Sequence, residues 1–465
     1  MTLYTRSQID PLVIFRNSAG EAARGTIVNL QRKSLVMEVY NPYSIVQVSE
    51  VLSELTVRFG ANVAYLGKAV VISLVNTGLT AIVSVTLIDE WHELDNVAIV
   101  PGAVGAEARA FVEDWTKRFQ IRRDYQIVVN EMRAYLSDVS RWVEQVDLSE
   151  SLPKVDGRLR TDVFYELAAP LIQKTKFYLD VLENEASQVE NELAPSHRSF
   201  AQTALHPLLL RAPFIFRAFT KPLGYAGDYQ MVNQILDDPR QGPSTYFQMV
   251  NAAFLQTAVA IAHRNRIDIL VDFLKRMADA AQQSGKVFRI LNVGCGPAIE
   301  IQRFLQNHHH PESLSFELVD FSEETLAWTR EKLSSITRQT GKPVTISYVH
   351  DSVHQLLKRR FDPASDSTRE FDAVYCAGLF DYLSDKVCSR LTAHFGSRTY
   401  HGGTLLITNV HSSNPGKLGM EHLLEWYLLY RDEAKFAALL PLQSITRNIW
   451  VDVTGVNIFA EATVV

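Results

Sequence analysis

Val287-Phe-Arg-Ile-Leu-Asn-Val293, running directly into Gly294-Cys-Gly-Pro-Ala298 and then Ile299-Glu-Ile-Gln-Arg-Phe-Leu-Gln306, decides the reading of this chain. The first seven residues are mostly apolar and bounded by a glycine turn, which predicts a short buried strand. The last eight predict a helix, so strand, turn and helix follow in the order of a ligand-binding βα unit. Gly294 and Gly296 let the backbone approach a ligand with no Cβ in the way. The helix amino terminus presents unpaired N–H groups to the same point.

The segments downstream repeat the pattern. Ser315-Phe-Glu-Leu-Val-Asp320 is a second apolar strand ending in an acid, placed to accept hydrogen bonds from ribose hydroxyls. Val344 to Val349 is a third, ending at Asp351-Ser352, where an adenine edge would lie. Phe371-Asp-Ala-Val-Tyr-Cys376 leads into Ala377-Gly-Leu-Phe-Asp-Tyr382, and Gly403 to Asn409 is a fifth strand. Ile449 to Val453 and Val456 to Thr463 fit a closing antiparallel hairpin. Strands alternating with helices predict a doubly wound α/β sheet, whose ligands bind at the carboxyl ends of the strands.

From Lys286 to Val465 this combination resembles the class I S-adenosylmethionine-dependent methyltransferases, a Rossmann-like fold with a seven-stranded mixed sheet. Nicotinamide-dinucleotide domains share the first motif but need a third glycine where this chain has Ile299. The resemblance implies S-adenosylmethionine as cofactor. It implies a cofactor set of Gly294, Cys295, Gly296, Asp320, Phe321, Asp351, Ser352, Ala377 and Gly378, joined by Tyr225 and Arg266. At a finer level, Lys221-Pro-Leu-Gly-Tyr-Ala-Gly-Asp-Tyr229, Arg264-Asn-Arg266, Gly378-Leu-Phe-Asp-Tyr382 and the Glu421 to Arg431 segment are similar to proteins grouped with hydroxypalmitic acid methyl ester biosynthesis. That similarity implies O-methylation of the carboxylate of a hydroxy fatty acid-like acceptor, with the Lys221–Tyr229 loop closing over the cofactor and an arginine pairing with its carboxylate. The competing reading is a non-catalytic S-adenosylmethionine-binding regulator.

Methyl transfer needs orientation more than acid–base chemistry, and a carboxylate acceptor needs no base. Candidates for the catalytic groups are Asp381 and Tyr382 after the fourth strand and His411 after the fifth. Asn409, Glu421, Trp426, Tyr430 and Arg431 are candidates for the acceptor pocket, the last four read as one helix with Glu421 and Glu425 on one face and Trp426 and Tyr430 on another. Arg431 could hold an anionic head group or serve as a helix-terminal cation. Asp381 with Asn409 resembles the ligands of magnesium-dependent catechol methyltransferases, but Thr408 stands where a further acid is needed, so no metal site is expected.

Leu12 to Trp91 reads as a small antiparallel β-barrel, with turns at Asn41-Pro42, Gly60, Gly67 and Asn76-Thr-Gly78. It resembles a PilZ domain in size and strand rhythm. Asn29-Leu-Gln-Arg-Lys-Ser-Leu35 departs from that family's paired-arginine motif, which implies a docking module in place of a nucleotide sensor. Val112, Trp115 and Phe119, then Tyr125, Val129, Met132, Leu136, Val139 and Val143, predict one long amphipathic helix, packed on its neighbours or forming a homodimer seam. A second helix is expected near Thr161 to Val189 and a third from Tyr246 to Ala280. The expected division is 1–100 barrel, 101–220 helical spacer or lid, 221–285 covering loop and helix, and 286–465 methyltransferase domain.

Composition bounds the partners. The chain has 465 residues, 47% of them apolar, and a net charge of −6, without the basic excess of a nucleic-acid binder. No stretch approaches the roughly 18 apolar residues that span a bilayer, and Met1 to Pro11 lacks a signal pattern, which predicts a cytoplasmic protein. Three cysteines without metal-ligand spacing predict no disulfide framework.

Overall fold

The computed structural model describes residues 12–16, 22–39, 46, 48–59, 62–76, 81–91, 104–118, 120–149, 151–358, 369–441 and 444–465. The chain divides into two compact units, 1–120 and 121–465. The turns expected at Asn41-Pro42, Gly60 and Thr77-Gly78 lie outside the described residues, as does Phe119.

The first unit is a closed barrel of β1 (Leu12–Arg16), β2 (Ala22–Leu30), β3 (Ser34–Val39), β4 (Val51–Phe59), β5 (Asn62–Asn76) and β6 (Ala81–Leu87), in the order β1-β2-β3-β6-β5-β4, followed by α1 (Val104–Arg118). Every pairing is antiparallel. Strict alternation sends Leu35, Met37 and Val39 of β3 into the barrel core beside Phe15, Leu55, Val57, Tyr65 and Val85.

The second unit begins with a helical layer: α2 (Arg123–Asp147), a short hairpin of β7 (Lys154–Val155) and β8 (Arg158–Leu159), α3 (Thr161–Ser187), α4 (Ala194–Leu209), α5 (Pro213–Thr220), α6 (Tyr229–Leu236), α7 (Thr245–Phe254) and α8 (Ala258–Ser284). The expected single helix through Val112 and Tyr125 is two, because residues 120–122 are non-helical. The apolar stripe changes character at that break. Tyr125, Val129, Met132, Leu136, Val139 and Val143 are buried, whereas Val112 and Trp115 are exposed. The helix expected from Tyr246 to Ala280 is likewise broken at Leu255–Thr257, where Thr257 adopts extended backbone ahead of α8.

The sheet follows: β9 (Phe288–Val293), α9 (Ile299–Asn307), β10 (Leu314–Asp320), α10 (Glu323–Thr340), β11 (Ile346–His350), α11 (Val353–Lys358), β12 (Phe371–Cys376), α12 (Asp385–Arg398), β13 (Thr399–Val410), α13 (Lys417–Leu424), α14 (Glu433–Ala437), β14 (Ser444–Val451) and β15 (Asn457–Val464). Strand order is β11-β10-β9-β12-β13-β15-β14. The first five are parallel and the last two antiparallel. Parallel strands are covered on both faces, which is why β9 and β12 are apolar nearly throughout. One face packs Leu270, Phe273 and Leu274 of α8, Ile301 and Phe304 of α9 and Leu333 of α10. The other packs Leu356 of α11, Leu391 and Phe395 of α12 and Phe436 of α14. Winding reverses between β9 and β12, so the crevice beyond their carboxyl ends is where this architecture places a ligand.

Candidate active site

Gly294 and Gly296 both have positive φ, 71° and 51°, and Ala298 enters α9 in the same left-handed region at 48°. This folds the turn tightly over the end of β10: the amides of Gly294 and Cys295 both donate to the Val319 carbonyl, at 2.8 and 3.1 Å. Asp320 completes the turn from below. Its Oδ2 accepts from the Gly296 amide and its Oδ1 from the Ser322 amide, each at 3.0 Å. Every carboxylate oxygen has two lone pairs, so each retains one for a ligand hydroxyl. Burial raises the Asp320 carboxyl above its ordinary range, and the backbone amides oppose that shift.

A cavity of about 300 Å3 opens on this turn. Its walls include ten of the residues expected from the sequence: Gly294, Cys295, Gly296, Asp320, Phe321, Ala377, Gly378, Tyr225, Arg266 and Tyr382. A smaller hollow of about 110 Å3 shares Gly294, Asp320 and Phe321 with it and adds Asp351 and Ser352. The loop before α6 forms the roof. Asp228 caps α6 by accepting from the Met231 amide at 2.9 Å and pairs with Arg217 at 2.7 Å, which holds Tyr225 and Gly227 over the crevice. Tyr225 packs against Phe321 and Tyr382, with ring centroids 5.5 and 5.9 Å away.

Arg266 is the one strong charge without a direct partner here. It is 9% exposed and lines the cavity, and its guanidinium has no hydrogen bond or ion pair among the described residues. Burial lowers its pKa, opposed by the more distant Asp381 and Glu300 carboxylates. Arg264, two residues away, faces elsewhere and donates to the Ile235 and Leu255 carbonyls.

The floor of the cavity was not foreseen. Glu300 accepts from the Tyr375 hydroxyl at 2.7 Å and from Asn292 Nδ2 at 3.1 Å, and Asn292 also donates to Tyr375 at 2.9 Å. All three line the cavity, and burial raises the Glu300 carboxyl. The available signal was Asn292 itself, a polar residue within the buried, otherwise apolar Ile290–Val293 end of β9, which must find a partner.

The remaining expected residues lie outside this cavity. Asp381 is buried behind it, accepting from the Val410 amide at 2.6 Å, and burial raises its carboxyl. His411 bonds Ser413 at 2.6 Å and Glu433 at 3.3 Å. Asn409 donates to the Val410 and Leu429 carbonyls and accepts from Arg431 at 2.6 Å. Arg431 is 2% exposed and further bonded to Asp385 and the carbonyls of Phe380 and Leu383. Its donors are thus committed inside the protein, and no helix carries it. The helix expected from Glu421 to Arg431 stops at Leu424, where Glu425 turns left-handed at φ 50° and the Trp426 amide folds back to the Met420 carbonyl. The paired faces expected for Glu421 with Glu425 and Trp426 with Tyr430 therefore do not form. Instead, Trp426 Nε1 donates to the Tyr382 hydroxyl at 3.2 Å. Tyr430 keeps its hydroxyl buried with no hydrogen-bond partner among the described residues, and Glu421 is half-buried at α13. Among the described residues no group of histidine, cysteine or carboxylate side chains is placed to hold a metal ion, and Cys295, Cys376 and Cys388 are free and buried. Among the described residues no helix is long and apolar enough to cross a membrane.

Five parallel strands, the reversed order and the terminal antiparallel pair define a Rossmann-like methyltransferase-type fold, with its crevice beyond the first strand of the sheet. Solved structures to which the chain is similar include a possible exported protein from Bordetella parapertussis, at 14% identity and TM-score 0.40, covering 73% of this chain and 95% of that one. Magnesium protoporphyrin IX methyltransferase from Synechocystis PCC 6803 with bound S-adenosylhomocysteine is similar at 13% identity and TM-score 0.37, covering 54% and 98%. N-methyltransferase NodS from Bradyrhizobium japonicum WM9 is similar at 13% identity and TM-score 0.30, covering 51% and 97%. No family model and no curated protein matches the sequence.

Proposed function

We propose that the chain is an S-adenosylmethionine-dependent methyltransferase acting on a small lipid-like acceptor, with the carboxylate of a hydroxy fatty acid-like compound as the methylated group. The observation that carries this reading is Arg266: a buried cation facing a cavity, beside a glycine turn and an acid at the end of the second strand. An unpaired buried cation is costly, and a ligand carboxylate removes the cost. Arg266 holds the methionyl carboxylate, Glu300 stands across from it for the ammonium group, and Asp320 takes the ribose hydroxyls. Asp351 and Ser352 border the smaller hollow for the base. A nicotinamide dinucleotide suits these walls poorly, since Ile299 replaces the third glycine and the buried acids oppose a pyrophosphate.

When bound, the sulfonium supplies an electrophilic methyl group, whose carbon–sulfur bond breaks as the acceptor oxygen bonds to carbon. The protein's task is to aim that oxygen and exclude water. Tyr382 serves the first purpose. Its oxygen accepts from Trp426 Nε1 and lies close against Gly227, leaving its own proton to point at an acceptor oxygen. Burial raises the phenol pKa, so it stays protonated at neutral pH and acts as a donor. The Tyr225 roof serves the second purpose. Asp381 acts through the Val410 amide as a positioning group.

The test is calorimetric titration with S-adenosylhomocysteine, then incubation with methyl-labelled S-adenosylmethionine and a cell extract from the source, supplemented with a panel of straight-chain hydroxy acids. Binding with base-labile label in the organic phase is the expected result. Label only in water-soluble products overturns the lipid-like substrate, and binding without any transfer overturns the enzyme. Absence of binding overturns the whole reading.

A further inference from the structure

We infer that a second cavity, behind Trp426, receives the apolar body of the acceptor, and that the Trp426–Tyr382 contact is the partition between acceptor and cofactor. This rests on the methyltransferase reading and adds where the acceptor binds and what it must look like. The cavity holds about 380 Å3, in the range of small-molecule sites. It is enclosed by α3, α5, the start of α8 and α13, with Phe214, Phe254, Val259, Met420, Leu423 and Trp426 among its walls.

Two observations join it to the first cavity. Helix α8 lines both: Val259 faces the second and Arg266 the first, two helical turns or about 10 Å apart on one side of the helix. Trp426 lines the second cavity while its indole N–H is bonded to Tyr382, which lines the first, 3.2 Å away.

The walls also set the class of occupant. Lys176, Asp180 and Glu183 recur along one face of α3, so a single cation is offset by two carboxylates. Glu183 is fixed there by the amides of Leu418 and Gly419 at 2.9 and 2.6 Å. That balance gives no home to a phosphate or nucleotide. Asp180 is exposed and Trp426 buried, so the α3 side opens to solvent and the Trp426 side is the inner end. The occupant is an uncharged aliphatic or aromatic body whose polar reacting end lies toward Trp426 and Tyr382.

The experiment uses the full chain and N-phenyl-1-naphthylamine, a neutral apolar fluorophore, with S-adenosylhomocysteine as the second ligand. Both are expected to bind, and saturating S-adenosylhomocysteine should not displace the fluorophore. Leu179→Trp, filling the second cavity from its half-buried wall, should weaken the fluorophore at least tenfold and leave S-adenosylhomocysteine within twofold. Trp426→Leu, which keeps an apolar side chain and removes the indole partition, should make the two ligands compete. Absence of fluorophore binding, an unaffected Leu179→Trp variant, or competition in the unaltered protein overturns the second cavity as the site. Independent binding in Trp426→Leu overturns the partition. If the fluorophore arm holds and S-adenosylhomocysteine does not bind, the cavity stands as an apolar site and it is the methyltransferase reading, with the acceptor role, that falls.

Discussion

The guanidinium of Arg266 packs directly over the α-carbon of Gly378: a Cβ added at Gly378 would lie 3.1 Å from Nη1 and 3.2 Å from Nη2. Gly378 also has φ 90°, a conformation that other residues rarely adopt. The glycine after β12 thus gives the buried cation its place at the cavity wall.

Arg266→Met is expected to act in opposite directions on binding and on stability. Losing the charged contact should weaken S-adenosylhomocysteine by roughly 2–4 kcal/mol, tens to a thousand-fold in Kd. Removing a buried cation that has no direct partner should leave the ligand-free protein as stable as before, or raise its melting temperature. Calorimetry and a thermal melt on one preparation decide it. A variant that binds normally, or that melts well below the parent, contradicts the role assigned to Arg266.

Arg431 supplies the contrast. Its guanidinium bonds Asp385, Asn409 and two carbonyls from within the protein. Truncation to Ala strands the Asn409 oxygen and both carbonyls, with an expected loss of about 3–5 kcal/mol in chemical denaturation. Among molecules still folded, S-adenosylhomocysteine affinity should be unchanged. A stable Arg431→Ala protein with impaired acceptor turnover would return Arg431 to the acceptor site.

These two arginines show where sequence reasoning reaches and where it stops. The Val287–Ala298 unit was legible because strand, glycines and helix are local, and Asp320 because a parallel strand must end at the crevice. Arg266 is the arginine expected in the cofactor set, yet spacing alone does not set it apart from Arg264: two residues on a helix are about 200° apart, and packing decides which faces inward. Glu425 hid the end of α13: no glycine marks its left-handed turn, so the i,i+4 spacing of Trp426 and Tyr430 read as helix. The Glu300–Tyr375–Asn292 floor was equally hidden, because it joins one strand to another through a helix and no spacing records it. The barrel was legible from alternation alone, as in the inward set Leu35, Met37 and Val39.

Asp320→Ala tests the other end of the proposed cofactor cavity. The change removes the acceptor for the Gly296 and Ser322 amides as well as the ligand contact. Affinity for S-adenosylhomocysteine should fall by roughly 2–4 kcal/mol. Adenosine, which has the ribose and lacks the methionyl part, should lose affinity by a similar factor, whereas Arg266→Met should hardly affect it. If adenosine binding survives Asp320→Ala, the carboxylate does not hold the ribose.

Acidification should loosen α13, the helix that precedes Trp426. His422 Nδ1 and the Tyr125 hydroxyl are 2.7 Å apart, and burial lowers the His422 pKa from 6.5 to about 4. His197 works the same way: its Nε2 accepts from the Arg122 amide at 3.0 Å, its Nδ1 donates to the Leu193 carbonyl, and burial lowers its pKa. Both are neutral when folded, while the unfolded chain takes up protons near pH 6.5, so stability must fall as pH drops below that value. For His422 the loss continues down to about pH 4, where the folded form protonates as well. It reaches on the order of 2 kcal/mol by about pH 5, at 1.36 kcal/mol per unit. Asp320, Glu300 and Asp381 have raised pKa values and shift stability the opposite way, favouring the folded state as pH falls. The measurement is therefore a difference: urea midpoints of the parent and of His422→Gln at about pH 7 and pH 5. The parent should lose more stability than the variant over that interval, and equal losses would mean that His422 does not carry the acid sensitivity.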